Sequence, residues 1–197
     1  MDISIRKLTP DLAEAYVHFF DVTPHDDYTE GAKCYCVGWC SDDSEGKDFS
    51  SWRKRREYAL QLVRDGCIQG YLAYQGDEIV GWCNANTKSD CLQCCGGRGF
   101  ITRHAPVKKR DAGVRVKSIF CFVIAPEMQR KGIATQLVER VCQDAAADGF
   151  DFVEAYPNKK FNDIAHDFMG PLAMYKKCGF VKYAKAKDKI VMRKALK

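Results

Sequence analysis

Two hydrophobic periods alternate along the chain. Compact apolar runs over residues 70–74, 78–84 and 114–125, bounded by Gly, Asp and Pro, read as strands. Ile133, Leu137, Val138, Val141 and Ala145 instead recur at helical spacing, with Gln136, Glu139, Arg140, Gln143 and Asp144 on the other side. The same reading predicts a strand over 3–8. A helix follows it, capped by Thr9, started by Pro10 and burying Leu12, Tyr16, Phe19 and Phe20. Ser50 or Ser51 caps a second helix that runs to about Arg64, and Asp65-Gly66 ends it. Gln75-Gly76-Asp77 is a hairpin turn. Strand 114–125, helix 132–148 and strand 151–156 form a right-handed crossover with a parallel pair. A helix near 168–177 and strands near 180–184 and 189–193 complete the chain. Two stretches resist the pattern. Cys34 to Cys40 reads as a strand or extended loop, and 86–113, polar and rich in Gly and Cys, as a long connection.

Composition bounds the possibilities. The 197 residues suit one domain over 1–197 that folds without disulfides or metal. The net charge of +5 suits an acidic cofactor as readily as a nucleic acid, and no nucleic-acid recognition motif accompanies it. Charges at Asp2, Arg6, Lys7, Asp11 and Glu14 break any export signal, and the longest apolar run, 119–125, is far short of a membrane span. A cytoplasmic protein is therefore expected, with its eleven cysteines mainly thiols.

The stretch 118–135 carries the chemistry. An apolar strand stops at Pro126 and turns through Gln129, Arg130, Lys131 and Gly132 into the amphipathic helix. Unpaired N–H groups and the positive end of the helix dipole then converge where a pyrophosphate can sit. Gln129-Arg130-Lys131-Gly132-Ile133-Ala134 resembles the (Q/R)-x-x-G-x-(G/A) signature of the GNAT N-acetyltransferase family, with Ala134 where many relatives have Gly. Met174 to Phe180 resembles the same family's helix-to-strand segment with its Tyr and Gly-Phe.

The resemblance implies an α/β (α+β) acyltransferase fold, a mixed and mainly antiparallel sheet flanked by helices with a parallel pair splayed at the cofactor site. It implies acetyl-CoA as cosubstrate, bound through the backbone of Phe122, Val123 and Ile124 and through Gln129, Arg130, Lys131, Gly132, Ile133, Ala134 and Thr135. It also implies Tyr175 as proton donor to the leaving thiolate or as the group that positions the sulfur.

Glu154, a carboxylate in a strand expected to be apolar, is either the base for the amine or one half of an ion pair. His25, His104 and His166 are other conceivable bases. The expected reaction is direct attack of a primary amine, from a small molecule or peptide, on the thioester. The acceptor is expected near Trp39, Trp52, Trp82, Asp42, Asp43 and Glu45. No nucleic acid, membrane or resident metal is expected, and a homodimer is left open. Cys34, Cys36 and Cys40 with Cys91, Cys94 and Cys95 sustain an alternative, a thiol- or metal-responsive binding module without turnover.

Overall fold

The computed structural model describes residues 2–23, 33–105, 111–162, 167–186 and 188–197. Its seven strands are β1 (Ser4–Lys7), β2 (Gly70–Gln75), β3 (Glu78–Thr87), β4 (Val116–Ile124), β5 (Phe152–Ala155), β6 (Val181–Lys185) and β7 (Ile190–Ala195). They form one sheet in the order β1-β2-β3-β4-β5-β7-β6. Only β4 and β5 run parallel; every other neighbouring pair is antiparallel. The helices are α1 (Ala13–Val22), α2 (Trp52–Arg64), α3 (Cys95–His104), α4 (Ile133–Ala147) and α5 (Leu172–Lys177).

Alternation decides which helix covers which face. Tyr71, Ala73, Cys83, Ala85 and Ile119 meet the stripe Ile133, Leu137, Val138, Val141 and Ala145 of α4, together with Met174 and Tyr175 of α5. Leu72, Trp82, Cys121 and Val123 point the other way, into a core built with Tyr16, Val17 and Phe20 of α1 and Ala59, Leu62 and Val63 of α2. A smaller cluster joins Phe120 and Tyr156 to Cys91 and Ile101, with Phe100 of α3 against it.

Two irregularities shape β4. Asn84 faces Cys121 while Ala85 faces Ile119, so Phe120 is an extra residue and bulges the strand. The pairing with β5 covers only Val116 to Ile119 against Phe152 to Ala155, although β4 continues to Ile124. Beyond Ala155 the chain stays with β7, where Ile190 N–H bonds the Pro157 carbonyl and Asn158 bridges Lys189. The parallel pair thus opens like a V.

Three elements differ from expectation. Cys34 to Cys40 is neither strand nor extended: Tyr35 and Cys36 take left-handed φ values of 47° and 52°, and Val37–Trp39 forms a 3-10 turn. Side chains hold it, since Tyr16 Oη donates to the Tyr35 carbonyl (2.8 Å) and Trp82 Nε1 to Cys36 Sγ (3.3 Å). The connection after β3 contains α3 despite Gly96, Gly97 and Gly99. A Cβ on Gly96 would lie 2.3 Å from the Gly38 carbonyl oxygen and one on Gly97 2.5 Å from that of Cys91, so the glycines permit backbone-to-backbone packing that overrides helix propensity. Finally, α5 starts at Leu172 rather than near Phe168, because Gly170 at φ +80° and Pro171 prevent an earlier start.

Close approach also fixes Gly70, where an added Cβ would meet the Cys83 carbonyl oxygen at 2.2 Å and the Trp82 ring at 2.3 Å. Gly70→Ala is expected to destabilise the protein by about 1–3 kcal/mol through overpacking. A thermal melt checks it; an unchanged midpoint would contradict this packing.

Candidate active site

At the mouth of the V, β4 hands the chain to α4. Ala125 N–H bonds the Val80 carbonyl (3.0 Å) of β3. Since backbone groups of alternate residues point to opposite edges, Val123 also faces β3, whereas Phe122 and Ile124 face the side β5 has left. This corrects the expectation that all three line the cofactor edge: Val123 belongs to the ladder. Phe122 N–H already meets the Phe168 carbonyl at 2.7 Å.

Next comes a 3-10 turn, Pro126–Met128, pinned by the buried Met128. Gln129 Nε2 reaches back to the Ile124 carbonyl (3.3 Å) and ties the loop to the strand end. Arg130 and Gly132 both take positive φ, 63° and 84°. Alternating left-handed residues turn successive N–H groups inward as an anion nest. Gly132 is the N-cap of α4, and no side chain caps the helix or places an acid in its first turn. Arg130 and Lys131 are instead exposed beside the positive end of the dipole, an arrangement that favours an anion there. The position a Gly132 Cβ would take is open space. Ile133 is buried under the sheet, while Ala134 and Thr135 are half-buried at the start of the helix. These features fit a diphosphate.

Tyr175 is fully buried on α5, edge-on to Phe180, and its hydroxyl donates to the Met169 carbonyl (2.7 Å). Burial pushes its phenol well above the usual value of about 10, so it is protonated at neutral pH. Two successive carbonyls, those of Phe168 and Met169, therefore bond Phe122 N–H and Tyr175 Oη, which places the phenol directly behind the β4 edge. Gly170 lies so near that an added Cβ would be 2.8 Å from Met174 Cε and 3.3 Å from the Phe122 ring.

Glu154 does not have a base's surroundings. It is fully buried; Oε1 accepts from Arg193 Nε (2.8 Å) and Nη2 (2.5 Å), and Oε2 from Lys88 Nζ (2.7 Å) and Tyr156 Oη (3.0 Å). Arg193 also pairs with Asp111 (3.1 Å). Two cations and a phenol thus bond this one carboxylate, an ion-paired arrangement. His104 faces Asp188 (3.2 Å) and Phe100, and burial lowers its pKa. His25 and His166 lie outside the described residues.

The expected acceptor group disperses. Trp82 is wholly buried and Trp52 lies against Lys33 and Arg53 on α2. Asp42 accepts from Tyr58, and Glu45 pairs with Arg98 (3.2 Å). Trp39 stacks on Phe120 of β4 at 5.2 Å and 7°. Phe100 packs edge-on to both, and Tyr156 follows Phe120 at 5.5 Å. Sequence reading missed this aromatic wall because Phe100 lies in an unassigned stretch and the bulge that re-aims Phe120 leaves no sequence mark. Among the described residues no group of three or more Cys, His, Asp and Glu could hold a metal ion.

Residues 33–180 match the Acetyltransferase (GNAT) family. No curated protein matches the chain. An acetyltransferase of the GNAT family from Streptococcus pneumoniae superposes with a TM-score of 0.55 at 16% identity, covering 100% of both chains. The PaiA N-acetyltransferase of Thermoplasma acidophilum, in complex with coenzyme A, gives 0.54 at 14%, covering 99% of both. A mutant of the spermidine N-acetyltransferase of Vibrio cholerae gives 0.54 at 13%, covering 98% of this chain and 94% of that one. These three share the fold. The splayed β4–β5 pair, the nest between β4 and α4, and a family match spanning most of the chain together identify this protein as a member of the GNAT acetyltransferase family.

Proposed function

We propose that this chain is an N-acetyltransferase that moves the acetyl group of acetyl-CoA directly to a primary amine of a small molecule or peptide. The observation that carries this reading is the start of α4, where an uncapped helix N-terminus, a nest and two exposed cations share one open surface. The coenzyme A complex of the Thermoplasma protein supports the same ligand here. When bound, acetyl-CoA supplies the acetyl group as an activated thioester.

The chain's own groups then divide the work. The N–H groups of Gly132, Ile133, Ala134 and Thr135, with Arg130 and Lys131, hold the diphosphate, while Gln129 braces the loop against β4. Phe122 and Ile124 offer backbone groups to the amides of the pantetheine arm, and an N–H on this edge polarises the thioester carbonyl. Tyr175 keeps its proton and can give it to the leaving sulfur by turning Oη away from the Met169 carbonyl. Glu154, held by Lys88 and Arg193, takes no proton from the amine, which attacks in its neutral form and, once bonded to the acetyl carbon, gives its surplus proton to solvent at the open mouth of the site.

A free-thiol release assay with acetyl-CoA and a panel of amines tests the activity; release that depends on an added amine supports it, and none on any amine contradicts it. Gly132→Val strains a left-handed position and fills the open cradle, so coenzyme A affinity measured by calorimetry should fall roughly tenfold or more, about 1.4 kcal/mol. Tyr175→Phe should lower kcat by about 10²-fold or more with little change in KM if the phenol donates the proton. Glu154→Gln leaves Arg193 and Lys88 short of their counter-charge, so stability should drop by about 3–5 kcal/mol. Turnover of the folded fraction should survive, whereas a base role would abolish it.

A further inference from the structure

The two cysteine runs set apart by the sequence meet at one point. Cys40 Sγ donates to the Val37 carbonyl at 3.2 Å, and Cys94 Sγ lies 3.9 Å from the same oxygen. Both thiols are fully buried, and neither is joined in a disulfide in this structure. Cys94 is the N-cap residue of α3, and Ser44 Oγ is 3.1 Å from its sulfur. The same hydroxyl accepts Cys95 N–H (3.1 Å) and lies 3.2 Å from the exposed Cys95 Sγ. A serine thus bridges the buried thiol to the surface.

We propose that Cys40 and Cys94 are a redox pair that a peroxide converts into an intrachain disulfide, stapling the Val37–Trp39 turn to the start of α3.

The surroundings distinguish these two thiols from Cys83 and Cys142. The adjoining Cys40 thiol, and after it the Gly97 N–H, the Ser44 hydroxyl and the Gly96 N–H, lower the pKa of Cys94 against the effect of burial. Cys40 is raised by the same contact and by burial, so it keeps its proton. Cys94 is thus the readier nucleophile of the two, and Cys40 the resolving thiol. By contrast, Cys83 and Cys142 are raised by burial first.

The chemistry balances with the peroxide as the only oxidant. The Cys94 thiolate attacks one peroxide oxygen, the O–O bond breaks and hydroxide leaves, giving a sulfenic acid at Cys94. Cys40 sulfur then attacks Cys94 sulfur, the S–O bond breaks, and water departs with the Cys40 proton as the S–S bond forms. Hydrogen peroxide is small and uncharged and can enter beside Cys95 during local opening. The staple would fix Trp39 and Phe100, which cover the β4 bulge at Phe120.

The test uses the reduced full chain, titrated with hydrogen peroxide, alkylated and mapped by mass spectrometry without reductant. The expected first product is a Cys40–Cys94 cross-linked peptide, lighter by two hydrogen atoms and formed at least about tenfold faster than oxidation at any other cysteine. Cys40→Ser should trap a sulfenic acid at Cys94 that a dimedone probe labels, and Cys95→Ser should leave the cross-link intact. Should Cys94→Ser fail to fold, those two variants decide. First oxidation at another cysteine, or a Cys94 that reacts no faster than Cys142, would overturn the proposal. None of these readouts depends on acetyl-CoA.

Discussion

The parting of β4 from β5 is the constraint on which the rest of the structure depends. Inside a covered sheet each backbone N–H and C=O needs a partner, and a group that loses one costs about 1–3 kcal/mol. The ladder ends at Ile119 and Ala155 because Phe120 bulges out of register and Pro157 has no N–H to offer. The β4 edge beyond that point must bond something else. The Phe168 carbonyl takes Phe122, and the groups of Ile124 face the same opening, where an extended ligand with amides of its own can add itself as a strand. Fold and binding edge are thus one feature.

Electrostatics complete the site at the next turn. Arg130 and Lys131 beside the start of α4 each work against the helix dipole by about 0.3–1 kcal/mol, and a non-glycine residue at positive φ adds about 1 kcal/mol or more. An anion in the nest reverses the first cost and gives the second a purpose. Elsewhere in the sheet the opposite solution holds. Glu154 is neutralised by Lys88 and Arg193, and the additional positive charge is balanced by Asp111, so these charges are buried as a compensated set. The contrast separates a surface arranged to attract a charged partner from a cluster that already has its partners.

Periodicity revealed what periodic packing builds. The stripe on α4, the hairpin at Gly76-Asp77 and the strand that becomes β4 all follow from side chains facing one core, and the loop at Gln129 to Gly132 follows from a strand feeding a helix. The remainder depends on contacts distant in sequence. α3 exists because two glycines, Gly96 and Gly97, let its backbone lie on Gly38 and Cys91, a relation no local propensity encodes. The left-handed pair Tyr35 and Cys36 is held from α1 and β3. Glu154 looks anomalous among apolar neighbours until Lys88 and Arg193, far away in the chain, are brought to it. Val123 and Ile124 cannot be told apart as ladder and edge without the register.

The central claim is that a diphosphate at the start of α4 and a pantetheine arm on the β4 edge are bound together. Calorimetric titration of the whole protein with coenzyme A, beside the same titration with pantetheine, which lacks the diphosphate, tests it most directly. The account predicts that coenzyme A binds at least about 10²-fold more tightly, a difference of about 2.7 kcal/mol. Equal affinity for the two, or no heat with coenzyme A, would contradict it.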